Sequence, residues 1–343
     1  MLSVRRLLSK SWPLIVGMLF TAGVAWFAGR EFDWRAVQAS LAAADFSYLA
    51  LAVVAMLLDI ALKARRWQWL FHPRSQHLRW RDLLCALLVG QLGNVLLPTR
   101  LGDVMRMAAV HTKADVPLSW ALATLVAEKA MDGIMLLVVL GALLPFVAWP
   151  AWLNATHTAV GALLAVGLVT LTWAITQAGA RQRIVRILQR MRLDSASRWT
   201  QRSLQSLEAW RAVQERPVQL RLWTLSAVIW LLSGLVNWFG YRAVALDLPF
   251  SAGLLLAATE IAGTRLAYAP AAIGIYHSIA VLTLALFGVE PAAALSAALL
   301  LHLVVYLPIL SGGLAAMWWA GMDLRRVTAS NGAGPEGERL RWP

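Results

Sequence analysis

Residues 94–106 read NVLLPTRLGDVMR. A run of apolar side chains ends at Pro98, and Arg100, Asp103 and Arg106 follow within seven residues. Proline has no N–H to donate and disfavours helical geometry in the residue before it, so a helix in the apolar stretch 83–97 stops at the break and a second starts beyond it. In a soluble protein this would be an ordinary loop. Here 59% of the 343 residues are hydrophobic and 14% charged, against about 25% charged in soluble domains. The stretch therefore reads as a broken helix inside a membrane.

Working outward, apolar runs at 12–29, 48–62, 118–147, 159–176, 222–246 and 292–320 approach or reach the roughly 20 residues that cross a bilayer. The run at 12–29 follows Arg5, Arg6 and Lys10 as a signal peptide would, but no small-residue cleavage site follows, so it reads as a retained helix. The net charge of +13 comes largely from Arg flanking the spans, which fits a positive-inside bias and argues against nucleic acid as a partner. Both termini are then cytoplasmic. Lys63, Arg65, Arg66, Arg74, Arg79 and Arg81 read as a cytoplasmic loop, and 30–45 and 149–158 as external connections. The segment 178–221, with ten Arg against Asp194, Glu208 and Glu215, reads as a cytoplasmic linker. Within it, RIVRILQRM (183–191) is either an interfacial helix on anionic lipid or a basic linker packed on the protein.

Cys85 is the single cysteine and excludes a disulfide framework or a Cys-based metal site. No metal or other cofactor is expected. The 18 Trp, such as Trp67, Trp69, Trp149, Trp152, Trp318 and Trp319, read as interfacial belt residues.

Two short interrupted stretches remain, 83–97 with 101–110, and 251–268 with 273–287. Each carries Pro-x-x-x-Gly, at Pro98 to Gly102 and at Pro270 to Gly274, and each precedes a long span. Neither is long enough for two crossings, so each reads as a re-entrant hairpin whose freed backbone is buried in protein or faces a watery cavity. The spans before them run in opposite directions. The expected architecture is an all-α polytopic membrane protein, with six transmembrane helices plus two re-entrant hairpins in an inverted repeat. One transmembrane domain would occupy 1–320, its halves at about 46–148 and 222–320, with 321–343 a disordered cytoplasmic tail. Paired interrupted segments of this kind point to a transporter's midplane site, the alternative being two unrelated proline kinks that only pack the bundle.

Charges at bilayer depth cost about 2.5 to 3.5 kcal/mol each on insertion scales. The candidates are Asp59, Arg100, Asp103, Arg106, Glu128, Lys129, Asp132, Glu260 and Arg265. Glu128 and Asp132 share a helix face and repel unless one is protonated or a cation such as Arg100 or Arg106 sits between them, and we expect a buried cluster of Arg106, Asp103, Glu128 and Asp132. Either Arg100 or Arg106 grips a lipid phosphate bidentately, aided by the helix N-terminus after Pro98, or the cluster is a self-satisfied core that holds the hairpin. Lys129 is expected to snorkel or to pair with Asp59. His277 is a core hydrogen-bonding residue or a proton carrier, and His302 invites the same comparison.

NVLLPTRLGDVMR, LVAEKAMDGIMLL (125–137) and APAAIGIYHSIAVLTLALFGV (269–289) together resemble the transmembrane, flippase-like region of lysylphosphatidylglycerol synthases over most of 10–320. The resemblance implies a lipid translocase fold, and it carries over to Pro98, Arg100, Gly102, Asp103, Arg106, Glu128, Asp132 and Gly274. His277 stands where the family usually has Glu, and Lys129 where it has Arg. The aminoacyl-transferase domain of fused members has no counterpart after Leu324, so lysyl transfer is not expected.

The function expected is that of a bacterial inner-membrane lipid transporter, moving an anionic or modified lipid between leaflets. Arg100, Asp103, Arg106, Glu128, Asp132, Glu260, Arg265 and His277 would line its path, and Pro98, Gly102, Pro270 and Gly274 would form its hairpins. Membrane lipids are the expected partners, together with a lipid-synthesising enzyme and further copies of the chain. No nucleotide-binding motif is present, so a proton, ion or lipid gradient would drive it. The alternative is an accessory subunit or intramembrane enzyme of lipid or glycolipid modification, although H-E-x-x-H and G-x-S-x-G are both missing.

Overall fold

A computed structural model describes residues 34–72, 78–96, 101–114, 116–147, 215–264, 272 and 274–319. The described residues form helices α1 (Trp34–Ala42), α2 (Phe46–Leu70), α3 (Trp80–Leu96), α4 (Leu101–Ala114), α5 (Leu118–Leu143), α6 (Arg216–Ala243), α7 (Phe250–Thr264), α8 (Ile275–Ala285) and α9 (Pro291–Trp319), with a 3₁₀ turn at Leu144–Phe146. Four helical stretches are long and apolar enough to cross a membrane: α2, α5 with its 3₁₀ extension, α6 and α9. The expected spans at 12–29 and 159–176, the linker as far as 214, the tail, Pro98, Arg100, Arg265 and Pro270 lie outside the described residues.

The element order repeats. A long helix, two short ones and another long one occur as α2 to α5, with 25, 17, 14 and 26 residues. They occur again as α6 to α9, with 28, 15, 11 and 29. The leading helices α2 and α6 are antiparallel, because Asp45 N–H donates to Ala243 O at one end while Arg66 meets Ser226 at the other. Their partners exchange: α3 packs on α9 of the other half, and α7 on α5.

Both short pairs are antiparallel hairpins. In the first, Gly90 faces Arg106 while Asn94 faces Gly102, and a Cβ on Gly102 would collide with the Gly90 carbonyl and Asn94. That backbone approach requires glycine. In the second, Gly263 faces Ile279, and Thr259 Oγ1 lies 3.0 Å from Thr283 Oγ1. Gly274 opens α8 at φ +84°, in the left-handed region where a Cβ is strained.

The hairpins open at opposite ends of the bundle. One core joins the end of α2 (Trp67, Leu70) to the outer ends of α3 and α4 (Leu83, Val110) and the starts of α5 and α6 (Ala121, Val218). The other joins the first part of α2 (Ala52) to the end of α6 (Tyr241), the outer ends of α7 and α8 (Ala252, Leu284) and the start of α9 (Ala294). Leu51, Val54 and Leu58 on α2, with Leu303 and Leu307 on α9, remain exposed, as side chains facing acyl chains would.

Three boundaries differ from expectation. α2 continues to Leu70, so Lys63, Arg65 and Arg66 are helical rather than loop residues. α6 begins at Arg216 inside the expected linker, because Val218 and Leu222 join the first of these cores. The expected connection 30–45 contains α1, which packs Val37 against Ala292 and Leu295 of α9.

Candidate functional site

The intramembrane charges gather where the two hairpins approach the antiparallel α2/α6 pair. Asp59, Lys63 and Arg66 recur at helical spacing on α2 and share a face. Lys63 Nζ is 2.6 Å from Asp59 Oδ2, and Ser233 Oγ of α6 donates to Asp59 Oδ1 at 3.3 Å. Arg66, only 1% exposed, sends Nη1 to Asp132 Oδ1 at 2.8 Å and to Ser226 Oγ at 3.1 Å.

Arg106 projects from α4 onto Glu128 of α5. Its Nη1 donates to Oε1 at 3.0 Å and its Nη2 to Oε2 at 2.7 Å, the forked geometry of a strong guanidinium–carboxylate pair. The guanidinium lies 3.7 Å from the centroid of the Trp67 ring, and Trp67 Nε1 donates to Thr124 Oγ1 at 3.1 Å. Trp67 is thus a buried support rather than a belt residue. Trp318 and Trp319 are exposed at the end of α9, as belt residues would be, whereas Trp149 and Trp152 lie outside the described residues.

Of the expected cluster, Arg106 and Glu128 meet directly, while the other two members find different partners. Asp132 pairs with Arg66, which solves the repulsion between Glu128 and Asp132 by giving each carboxylate its own guanidinium. Asp103 accepts from Asn94 Nδ2 at 3.3 Å and lies 3.6 Å from Lys129 Nζ. The expected Lys129–Asp59 pairing is therefore replaced by Lys129–Asp103 and Lys63–Asp59. The reason is local: Lys63 follows Asp59 by one helical turn and reaches it first.

The second hairpin contributes differently. Glu260 is half-buried on α7 toward the break, and Lys63 and Asp59 are its charged neighbours. Beyond the break, the Gly274 N–H donates to His277 Nδ1 at 3.4 Å. The rings of His277 and His302 stack at 5.0 Å, and His302 and Tyr306 at 4.0 Å. Three buried polar atoms here, Tyr276 Oη, His277 Nε2 and His302 Nδ1, have no hydrogen-bond partner among the described residues. Residues 265–271 and 273 lie outside the described residues.

Lys63, Arg66 and Tyr276 are site residues that the sequence reading passes over. The spacing Asp59, Lys63, Arg66 was the available signal for the two cations, hidden by reading them as part of a loop. Tyr276 had only its adjacency to His277.

Paired short helical hairpins, intramembrane charges and long apolar helices define a multi-pass membrane domain with a polar interior. The chain belongs to the family described as lysylphosphatidylglycerol synthase TM region, whose model matches residues 14–313. It is also similar to Glycosyltransferase AglD of Haloferax volcanii, 24% identical over 131 residues, or 38% of this chain. That match spans 21% of the relative's length.

Proposed function

We propose that the chain is a lipid translocase of the bacterial inner membrane, passing a polar headgroup between leaflets while the acyl chains stay in the bilayer. The observation that carries this reading is a layer of paired intramembrane charges on α2, α4 and α5 in a bundle whose two hairpins open at opposite ends. The halves then act as an inverted repeat, and rocking one against the other exposes the layer to each side in turn. The antiparallel leading helices and the exchanged packing of α3 on α9 and α7 on α5 support that symmetry. The Arg distribution supports cytoplasmic termini.

Within this reading the two guanidinium pairs build the wall of the passage. Arg106 has already committed both terminal nitrogens to Glu128, so a phosphate can take them only by displacing a carboxylate. The loosely held groups are Asp103 with Lys129, whose lysine is 36% exposed, and Glu260.

The test is lipid analysis of the purified protein against bulk membrane, followed by reconstitution of the enriched lipid in liposomes. Protein-dependent appearance of that lipid in the opposite leaflet is expected. Absence of both enrichment and transfer overturns the reading.

The similarity to a protein named as a glycosyltransferase favours one second reading, an accessory or catalytic membrane subunit of lipid glycosylation. Adding nucleotide sugar to the same liposomes separates the two: a chemically altered lipid supports this reading, and an unaltered lipid in the other leaflet supports translocation.

A further inference from the structure

The two ends of the bundle differ in charge. Among the described side chains, the end where α2 and α9 begin and α6 finishes carries Arg35 and Arg242 against Asp45, Asp247 and Glu290, and Arg242 is already paired with Asp247 at 2.7 Å. The end where α2 finishes and α3 and α6 begin exposes Arg65, Arg79, Arg81, Arg216 and Arg221 against Asp82 and Glu215. The adjoining sequence widens the difference, since 73–77 has Arg74 and no acid, and 178–214 has eight Arg against Asp194 and Glu208.

Specific contacts order the arginines of the cationic end. Gln68 of α2 accepts from Arg65 Nη1 at 2.6 Å and donates through Nε2 to the Leu78 carbonyl at 2.6 Å, which sets Arg79, at the entrance to α3, beside the helix that carries Arg65. Arg79 bonds Asp82 through Nε at 3.0 Å and is still 82% exposed. Trp69, next to Gln68, carries Arg221 of α6, whose guanidinium carbon lies 4.5 Å from the ring centroid. A stacked guanidinium presents its planar fork of donors at the edge, the geometry that takes phosphate oxygens in pairs.

Apolar side chains flank these cations. Leu220, beside Arg221, is 71% exposed, and Leu118 at the start of α5 is 46% exposed, while Trp69 and Trp223 pack half-buried on the core at this end. A soluble polyanion gives exposed leucines nothing to bury against. A bilayer surface gives phosphate to the arginines, acyl chain to the leucines and the interfacial zone to the indoles.

We propose that this end of the bundle is a docking surface for anionic phospholipid, on which Arg65, Arg79 and Arg221 take headgroup phosphates while Leu118 and Leu220 enter the acyl region. Trp69 is a positioning residue that holds the Arg221 fork. The surface is separate from the charge layer: Arg65 is exposed, whereas Arg66 beside it is buried on Asp132. It requires only that the chain lies in a membrane, and it stands whether or not the chain moves lipid between leaflets.

The deciding experiment measures binding of a fluorescent phosphatidylglycerol to the purified full chain in detergent by anisotropy, with unlabelled phosphatidylglycerol and phosphatidylcholine as competitors. The wild type is expected to prefer phosphatidylglycerol. Each arginine near an anionic lipid surface contributes about fivefold, so Arg65→Gln, Arg79→Gln and Arg221→Gln together are expected to lower the preference about tenfold or more. Arg35→Gln, at the opposite end, is expected to keep it. A preference unchanged in the triple variant, or lost equally in Arg35→Gln, overturns the proposal. Should the triple variant fail to fold, Arg79→Gln and Arg221→Gln singly, both at exposed positions, carry the same test with about fivefold each. Displacement of the labelled lipid by inorganic phosphate or by a short oligonucleotide as readily as by phosphatidylglycerol marks a site for soluble anions and overturns the lipid assignment.

Discussion

Arg66 of α2 and Asp132 of α5 form a 2.8 Å ion pair in which the arginine is almost wholly buried and Ser226 of α6 accepts a second bond from the same nitrogen. Three helices are thereby joined at one guanidinium. Removing one partner leaves an uncompensated charge, which costs about 3–5 kcal/mol in buried pairs. Asp132→Asn and Arg66→Met are each expected to lower thermal stability in detergent sharply, and Arg66→Met with Asp132→Leu to recover much of the loss. Additive losses in the double variant would show that the two residues are not coupled.

Arg106 is held from two sides, by Glu128 and by the Trp67 face. A desolvated cation–π contact is worth about 2 kcal/mol, and the indole N–H bond to Thr124 about 1 kcal/mol more. Trp67→Leu is therefore expected to destabilise the fold by about 3 kcal/mol, and Trp67→Phe by less because the ring face is kept. Equal losses in thermal unfolding would remove the ring from the account of Arg106.

Gly102 and Gly141 are both helical glycines, but only the first lies against backbone. Among the described residues nothing stands within 4 Å of a Cβ at Gly141, so Gly141→Ala is expected to be neutral or slightly stabilising. Gly102→Ala forces α3 and α4 apart, and overpacking costs about 1–3 kcal/mol or more. Monodispersity and melting temperature after purification distinguish them, and a Gly102→Ala protein as stable as Gly141→Ala would refute the close hairpin contact.

The second hairpin predicts a cross-link. With Thr259 and Thr283 hydroxyls 3.0 Å apart, cysteines at the two positions fall near the separation a disulfide needs. In a Cys85→Ser background, Thr259→Cys with Thr283→Cys is expected to oxidise readily, giving a bridged peptide pair by mass spectrometry after proteolysis. A control pair, Thr259→Cys with Ser278→Cys, should remain reduced. Absence of the bridge would mean that α7 and α8 do not lie antiparallel in this register.

The sequence by itself determined the membrane character, the helical class, the two interrupted stretches and the family resemblance, because each is written in local features. Long apolar runs give spans, prolines and Gly274 give breaks, and Pro98 through Arg106 with Glu128 and Asp132 carries the family motif. Local spacing also brought Glu128 and Asp132 to one face. Beyond the local Lys63–Asp59 pair, tertiary structure decided which cation answers which carboxylate. Arg66 reaches Asp132, Lys129 reaches Asp103, and Glu260 comes within the field of Lys63, all through the rotation and register of helices distant in the chain. A soluble helix advertises its rotation by an apolar stripe, but α3 and α9 are apolar nearly all round, so their buried faces cannot be read from composition. Those faces are set by close approaches such as Gly90 on Gly102 and Gly313 on Leu92, which exist only once the helices have packed.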